Sequence, residues 1–264
     1  MFFEHNVRPR QNLAPTVLNY SPSPAISMSE LSSCSMDQVY TEIIVVRHGE
    51  TAWNATGRIQ GHMDVELNEV GRQQAASLAE RLSREPEISA VYSSDLKRAL
   101  ETAETIAASC GNFEVIEDPE LRERHLGDVQ GLLFREAAKV CSEAYRAFSS
   151  RRTNQVIPGG GESLDQLYHR ATSSLQRISH KHTGKRVVVV THGGVIRALY
   201  RRACSTRFRG SILNTSVNIF QISGDDVWTI KAWGDVSHLH QTGQYSMSGF
   251  GVNKTSSAVT SVVT

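Results

Sequence analysis

The sequence contains few cysteines that could form disulfides or bind a metal ion. Its 264 residues include only four cysteines, which are scattered along the chain at Cys34, Cys110, Cys141 and Cys204. No two of them lie close enough in sequence to suggest a zinc ligand set, and nothing in their spacing suggests a disulfide framework. The sequence therefore predicts a protein of a reducing compartment that depends on its hydrophobic core.

The chain also lacks an excess of charge and any long apolar segment. Its 28 basic and 27 acidic residues leave a formal net charge of +1 at pH 7. A balance this even implies no strong field that would attract nucleic acid or a charged membrane surface. No apolar run approaches the length of a transmembrane helix. Neither nucleic acid nor a membrane is therefore a predicted partner.

Composition divides the chain into three parts. Residues 1–40 hold four of the seven prolines, no glycine and many serines, and such a segment buries too little surface to offset the entropy of ordering. We expect a disordered extension there, which is either a transit peptide or an untargeted extension. Residues 41–235 form the predicted folded domain, and residues 236–264 a flexible tail. The predicted location is the cytoplasm, with a plastid or mitochondrion as the alternative.

Two short runs of β-branched residues end in the same way. Ile-Ile-Val-Val at 43–46 is followed by Arg47, His48 and a glycine, and four valines at 187–190 are followed by Thr, His192 and a glycine. Both runs are typical of buried strands, and ligands bind at the carboxyl ends of parallel strands. A single histidine at a strand end is more often structural. Two of them favour a pocket for an anion, provided that the strands are parallel neighbours.

The first of these strand ends carries a recognisable motif. Arg47-His48-Gly49-Glu50-Thr51, followed by Asn54, resembles the signature of the histidine phosphatase superfamily. Further elements of the superfamily pattern recur in the same order between Thr41 and Trp233. Within the superfamily, the chain most resembles the plant phosphoglycerate-mutase-like proteins and related metal-independent phosphatases.

Strands that alternate with amphipathic helices predict an α/β fold. Strands are expected near 88–92 and 115–116, with Asp95 as the N-cap of the helix between them. Alternating segments at 216–222 and 227–233 predict a final hairpin. The expected architecture has three layers (αβα), a mostly parallel central sheet and an antiparallel edge hairpin. The resemblance implies that this is a phosphoglycerate mutase-like fold.

The resemblance also implies phosphoryl transfer through a phosphohistidine. His48 matches the nucleophile, and His192 matches a second imidazole that stabilises charge on the phosphoryl oxygens. Glu123, in the context Leu-Arg-Glu-Arg, matches the acid that protonates the leaving alkoxide and then activates water. The expected phosphate or substrate ligands are Arg47, Gly49, Asn54, Gln60, Arg98 and Gly193. No metal or other cofactor is expected, since no cluster of acidic residues and histidines has ligand spacing.

The resemblance leaves open whether the reaction is hydrolysis or isomerisation. Leu126 stands where a mutase has tyrosine, and the segment 132–161 is short for the mutase insertion. We therefore expect a metal-independent phosphatase for a small phosphomonoester, namely phosphoserine or a sugar or sugar-acid phosphate. A cofactor-dependent phosphoglycerate mutase is the alternative, and a non-catalytic phospholigand-binding protein is the second alternative. The expected partner is the small phosphorylated metabolite, and a homodimer is left open.

Overall fold

The computed structural model describes residues 39–240. The predicted extension up to residue 38 and the predicted tail beyond residue 240 lie outside the described residues. None of the helices within 39–240 combines the length and the apolar character that crossing a membrane requires.

Six strands form one sheet within the described residues. They are β1 (Tyr40–Arg47), β2 (Ala90–Ser93), β3 (Val115–Glu117), β4 (Arg186–Thr191), β5 (Val217–Ser223) and β6 (Trp228–Asp235). The order across the sheet is β3-β2-β4-β1-β5-β6. Pairing is parallel from β3 to β1 and antiparallel from β1 to β6. The predicted mostly parallel sheet with an antiparallel edge hairpin is confirmed.

Helices connect and cover the strands. They are α1 (Ala52–Thr56), α2 (Glu69–Leu82), α3 (Lys97–Cys110), α4 (Phe134–Val140), α5 (Ser142–Phe148), α6 (Leu164–Lys181), α7 (Gly193–Cys204) and α8 (Ser237–His240). Two short 3₁₀ turns, Pro119–Leu121 and Gly127–Val129, interrupt the loop that follows β3.

The central strands are buried on both faces, which explains their uninterrupted β-branched runs. Ile43 and Val45 of β1 pack in the apolar cluster that contains α6 and α7, whereas Ile44 and Val46 pack in the cluster that contains α2 and α3. Side chains of a strand alternate between its faces, so a strand covered on both faces needs apolar residues at every position. The three-layer αβα arrangement follows from these two clusters.

The register of the sheet brings the two strand-end histidines together. β1 and β4 are parallel neighbours, and Arg47 is paired with Thr191. The next residue of each strand is therefore at the same level, and these residues are His48 and His192. The condition on which the predicted anion pocket depended is met.

The predicted role of Asp95 as an N-cap is wrong. Leu96 occupies the N-cap of α3 and makes no side-chain cap. The carboxylate of Asp95 instead accepts a hydrogen bond from Arg122 Nε at 2.7 Å, and the Lys97 N–H donates to Asp64 Oδ1 at 2.8 Å. Both contacts come from loops distant in sequence, so spacing within the helix could not reveal them.

The C-terminal boundary of the folded domain also differs from the prediction. Residues 237–240 form α8 rather than the start of a flexible tail. Val236 and Leu239 are each 4% exposed, so this short segment adds apolar contacts to the folded body. Ordered structure therefore continues past the predicted boundary at residue 235 to residue 240, the last of the described residues.

Candidate active site

His48 leaves β1 with a buried imidazole that one hydrogen bond orients. Its Nδ1 lies 2.7 Å from the carbonyl oxygen of Gly49. Because a carbonyl can only accept, Nδ1 carries the proton and Nε2 carries the lone pair. Burial lowers the pKa of His48 well below its usual value, and the charges of Arg98 and Arg47 lower it further. The imidazole is therefore neutral near pH 7, as a nucleophile must be.

Two buried arginines line the same cavity as His48. Arg47 Nη1 donates to the carbonyl of Ile212 at 2.6 Å. Arg98 donates to the carbonyls of Gly61 and Met63 at 2.8 and 2.9 Å. These bonds fix both guanidinium groups, while the Nε of each arginine is buried without a hydrogen-bond partner among the described residues. Desolvation lowers the pKa of each to about 10, so both stay charged at neutral pH.

His192 stands beside His48 at the end of β4. The centroids of the two rings are 5.1 Å apart. Nε2 of His192 lies 2.9 Å from Ser94 Oγ, and its Nδ1 is buried without a partner among the residues described. Burial, followed by the charge of Arg98, lowers the pKa of His192 well below its usual value. His192 is fully buried and is not among the residues that line the cavity, so its predicted contact with a phosphoryl oxygen stays a prediction, for which Nδ1 is the unpaired ring nitrogen.

A cavity of about 350 Å³ opens at this edge of the sheet. It brings together the predicted site residues Arg47, His48, Asn54, Gln60, Arg98, Glu123 and Gly193. Asn54 forms a capping box with Thr51 at the start of α1, and Thr51 Oγ1 donates to Gln60 Oε1 at 3.0 Å. The segment after β1 thus begins with a helical turn, α1, which fixes two of the wall residues.

Glu123 reaches the cavity from the loop after β3. Its Oε1 accepts from the backbone N–H of Arg124 at 2.8 Å, and its Oε2 accepts from the N–H of Gly194 at 3.0 Å. A Cβ added to Gly194 would lie 2.1 Å from Glu123 Oε1, so only glycine leaves room for the carboxyl group. The first turn of α7, which follows His192, therefore also positions the carboxyl group of Glu123.

A partly buried ion pair holds the loop that carries Glu123. Arg170 donates to the carbonyl oxygens of Glu120 and Arg122 at 2.6 Å each and to that of Glu123 at 2.8 Å. The carboxylate of Glu162 binds the same guanidinium through two contacts of 2.7 and 2.8 Å. We call Glu162 and Arg170 the acid-loop clamp.

Gly49 is not among the residues that line the cavity, and its predicted contact with phosphate or substrate stays a prediction. Its backbone N–H donates to Thr102 Oγ1 at 3.1 Å. A Cβ at this position would lie 2.5 Å from the carbonyl oxygen of Gly71, so the glycine permits close packing against α2. Its carbonyl still serves the site, because it orients His48.

Several site residues were missed by the sequence interpretation. Ser94 directly follows β2, and the rule that sites lie at strand ends points to it. Asn214 Nδ2 donates to the carbonyl of His48 at 2.9 Å, and it reaches this edge only because β5 runs antiparallel. Arg197 lies one helical turn after Gly193 and lines the cavity. Helical spacing from Gly193 is the signal that could have identified it.

The site is therefore equipped for phosphoryl transfer. It presents a neutral imidazole with an available lone pair, buried N–H donors on two arginines, a second buried imidazole beside the first, and a carboxyl group fixed nearby. Within residues 39–240, no group of three or more His, Cys, Asp or Glu side chains is placed to hold a metal ion.

Known proteins are similar to this chain in sequence and in fold. The family described as the histidine phosphatase superfamily (branch 1) matches residues 43–236. The chain is 64% identical to phosphoglycerate mutase-like protein 4 of Arabidopsis thaliana over 230 residues, which are 87% of this chain and 100% of the relative. It is 54% identical to the metal-independent phosphoserine phosphatase of the same plant over 203 residues, which are 77% of this chain and 85% of the relative.

A solved structure shows that the similarity extends to the fold. The phosphoserine phosphatase from Entamoeba histolytica in complex with 3-phosphoglyceric acid superposes with a TM-score of 0.66 and 28% identity, covering 75% of this chain and 99% of that one. The fold and the site together define a phosphomonoester hydrolase of the phosphohistidine type. The chain belongs to the histidine phosphatase superfamily, in its branch 1.

Proposed function

We propose that this protein is a metal-independent phosphatase that hydrolyses a small phosphomonoester, with phosphoserine as the leading substrate. The observation that carries the proposal is the state of His48. Its Nδ1 donates a hydrogen bond to the carbonyl oxygen of Gly49 at 2.7 Å, and the lowered pKa keeps the imidazole neutral. Nε2 is therefore free to attack phosphorus beside two charged guanidinium groups.

The first step transfers the phosphoryl group to the protein. Nε2 of His48 forms a bond to phosphorus as the bond from phosphorus to the ester oxygen breaks. Glu123, in its protonated form, gives its proton to the leaving alkoxide. Arg47, Arg98 and His192 stabilise the charge on the three equatorial oxygens of the transferring group.

The second step regenerates the imidazole. Glu123, now ionised, accepts a proton from a water molecule whose oxygen attacks the phosphohistidine. The bond from phosphorus to Nε2 breaks, inorganic phosphate leaves, and Glu123 is again protonated for the next cycle. Every proton and bond is thus accounted for by two side chains and water.

Two considerations support phosphoserine over the alternatives. Two relatives that share the fold are named phosphoserine phosphatases, one of them metal-independent, and a cavity of about 350 Å³ suits a small ester. Leu126, which stands where a mutase has tyrosine, lines that cavity. The complete set of nucleophile, acid and cations argues against a non-catalytic binding protein. The cytoplasmic location and the homodimer stay predictions of the sequence alone.

The test is a phosphate-release screen over small phosphomonoesters in the presence of a chelator, run beside an assay for 3- to 2-phosphoglycerate isomerisation. We expect phosphate release that the chelator does not reduce, with phosphoserine among the good substrates. The His48→Asn variant, shown to be folded by circular dichroism, is the control for contaminating phosphatases. Isomerisation much faster than phosphate release would instead establish a mutase, and loss of activity in chelator would refute metal independence.

A further inference from the structure

The cavity is lined at a second place by arginines that the proposed mechanism does not use. Arg197 and Arg201 lie on successive turns of α7, and Arg207 lies in the loop that follows this helix. All three line the cavity, together with the rings of Tyr168 and Phe208.

Hydrogen bonds and a ring contact orient these arginines, of which Arg197 and Arg201 are partly buried and Arg207 is exposed. Arg197 Nη2 donates to the carbonyl of Gly210 at 2.8 Å, and Arg207 Nη2 donates to the carbonyl of Arg151 at 2.8 Å. Arg201 lies over the ring of Tyr168 at 4.8 Å from its centroid. Backbone carbonyls and a ring face thus fix the guanidinium groups while other N–H donors remain, as at Arg47, and pre-organised donors bind an anion at lower entropic cost.

Arg197 connects this region to the phosphoryl site. A Cβ added to Gly193 would lie 3.5 Å from Arg197 Nη1 and 3.9 Å from Arg47 Nε. The two guanidinium groups therefore flank the same glycine, and a small molecule whose phosphoryl group contacts Arg47 is long enough to reach Arg197. Their positive charges also repel each other, which contributes to the lowered pKa of Arg47.

The charge of the cavity lining exceeds what a phosphate monoester requires. Among the described residues that line it, six are arginines and one, Glu123, is a carboxylate. A phosphoryl dianion is balanced by Arg47 and Arg98. Asp165, at 3.4 Å from Arg201, offsets part of the remaining charge, but a clear positive surplus is left. Such a surplus in a partly buried cavity favours a ligand with a second negative group.

We propose that Arg197, Arg201 and Arg207 form a second anion subsite, and that the substrate is a phosphomonoester whose alcohol carries its own acidic group. That group is a carboxylate or a second phosphoryl group. This inference rests on the proposed function and narrows its substrate class. An ammonium group on the substrate gains no contact from these three residues, so the acid and not the amine decides whether an ester is a good substrate.

The test compares four small esters chosen according to whether the alcohol carries an acid, an amine, both or neither. They are phosphoserine with both groups, 3-phosphoglycerate with the acid alone, phosphoethanolamine with the amine alone, and glycerol 1-phosphate with neither. A fifth ester, 1,3-propanediol bisphosphate, carries a second phosphoryl group instead of the carboxylate. We expect kcat/KM to be at least about tenfold higher for the acid-bearing esters, the factor that corresponds to about 1.4 kcal/mol.

Variants then connect this preference to the subsite. In the Arg201→Gln/Arg207→Gln double variant, we expect the preference for acid-bearing esters to fall by about tenfold, mainly through KM, because the contact is the same in ground state and transition state. Arg197→Gln is expected to lower it further, and Arg197→Lys to restore part of it. Arg202→Gln on the same helix and Arg209→Gln in the same loop are the matched controls, since neither side chain lines the cavity.

The outcomes separate this inference from the proposed function. Hydrolysis of all the esters at similar kcat/KM, or a preference that the double variant retains, overturns the second subsite and leaves the phosphatase intact. Failure to hydrolyse any ester counts against the phosphatase. In that case, calorimetric binding of the same esters to Glu123→Gln still decides the subsite, because equal Kd values with and without the acid refute it.

Discussion

Gly194→Ala is the substitution that tests most sharply how the acid is positioned. Gly194 lies in the first turn of α7, and its N–H donates to Glu123 Oε2 at 3.0 Å. A Cβ there would lie 2.1 Å from Glu123 Oε1, where van der Waals contact needs about 3.4 Å or more. The methyl group must therefore displace the carboxyl group of Glu123 by more than 1 Å, as the difference between those two distances requires.

The expected effect falls on catalysis and not on folding. Displacement of a catalytic group by about 1 Å costs on the order of 100-fold in rate, so kcat should fall by about that factor. The atom that must move is at the end of a flexible side chain, and alanine is favoured over glycine in a helix by about 1 kcal/mol. The free energy of unfolding should therefore stay within about 1 kcal/mol of the wild-type value.

A double-mutant cycle with Glu123→Ala provides the control. If Gly194→Ala acts through the carboxyl group, it should lower kcat about 100-fold in the wild-type background and have little further effect once that carboxyl group is gone. Steady-state kinetics with phosphoserine and urea denaturation of the four proteins supply the data. Equal effects in both backgrounds would show that the methyl group acts elsewhere, and a large loss of stability would show that the helix start cannot accept it.

Other perturbations test the clamp, the buried imidazole and the absence of a metal. Arg170→Gln should lower kcat and destabilise the fold by about 3 kcal/mol, because it removes the cation that pairs with the carboxylate of Glu162 and leaves that carboxylate with the His125 N–H as its donor. Arg170→Lys should recover little, since lysine cannot replace five directed contacts. Kinetics and urea denaturation would check both variants, and an unchanged kcat would refute the clamp. The pKa of His48 is lowered in the folded chain, so the unfolded chain binds more protons below about pH 6.5 and stability falls with falling pH. In His48→Asn, the free energy of unfolding should fall less steeply with falling pH, by up to about 1.4 kcal/mol per pH unit. Denaturation between about pH 5 and 6.5 measures this slope. A slope equal to that of the wild type would contradict a buried neutral imidazole. Activity measured in a strong chelator should equal activity measured without it, and recovery on adding Mg²⁺ would argue for a metal.

Much of the fold could be predicted because its strongest signals are local. The β-branched runs before His48 and His192 mark buried strands, and the strand-end rule places both histidines at one edge of the sheet. The capping box of Ser163 and Gln166, which starts α6, is a local signal of the same kind. These features depend on residues that are close in sequence.

The parts that could not be predicted depend on contacts between distant segments. The close packing of Gly49 against Gly71 on α2 could not be read from the motif. Asp95 was assigned to its own helix, but Arg122 in a later loop binds it instead. Arg170 of the acid-loop clamp binds carbonyl oxygens 47 to 50 positions away in sequence, and no periodicity indicates such contacts. The motif therefore located the chemistry, whereas the residues that orient it required the structure.

The central claim is that the phosphoryl group passes through Nε2 of His48. Rapid quenching of the protein with 32P-labelled phosphoserine, followed by peptide mass spectrometry, tests it directly. The account predicts an acid-labile, base-stable phosphoryl adduct on His48 that forms before phosphate is released and is missing from His48→Asn, which should also be inactive. Label on another residue, or phosphate release by the folded His48→Asn variant at the wild-type rate, would contradict it.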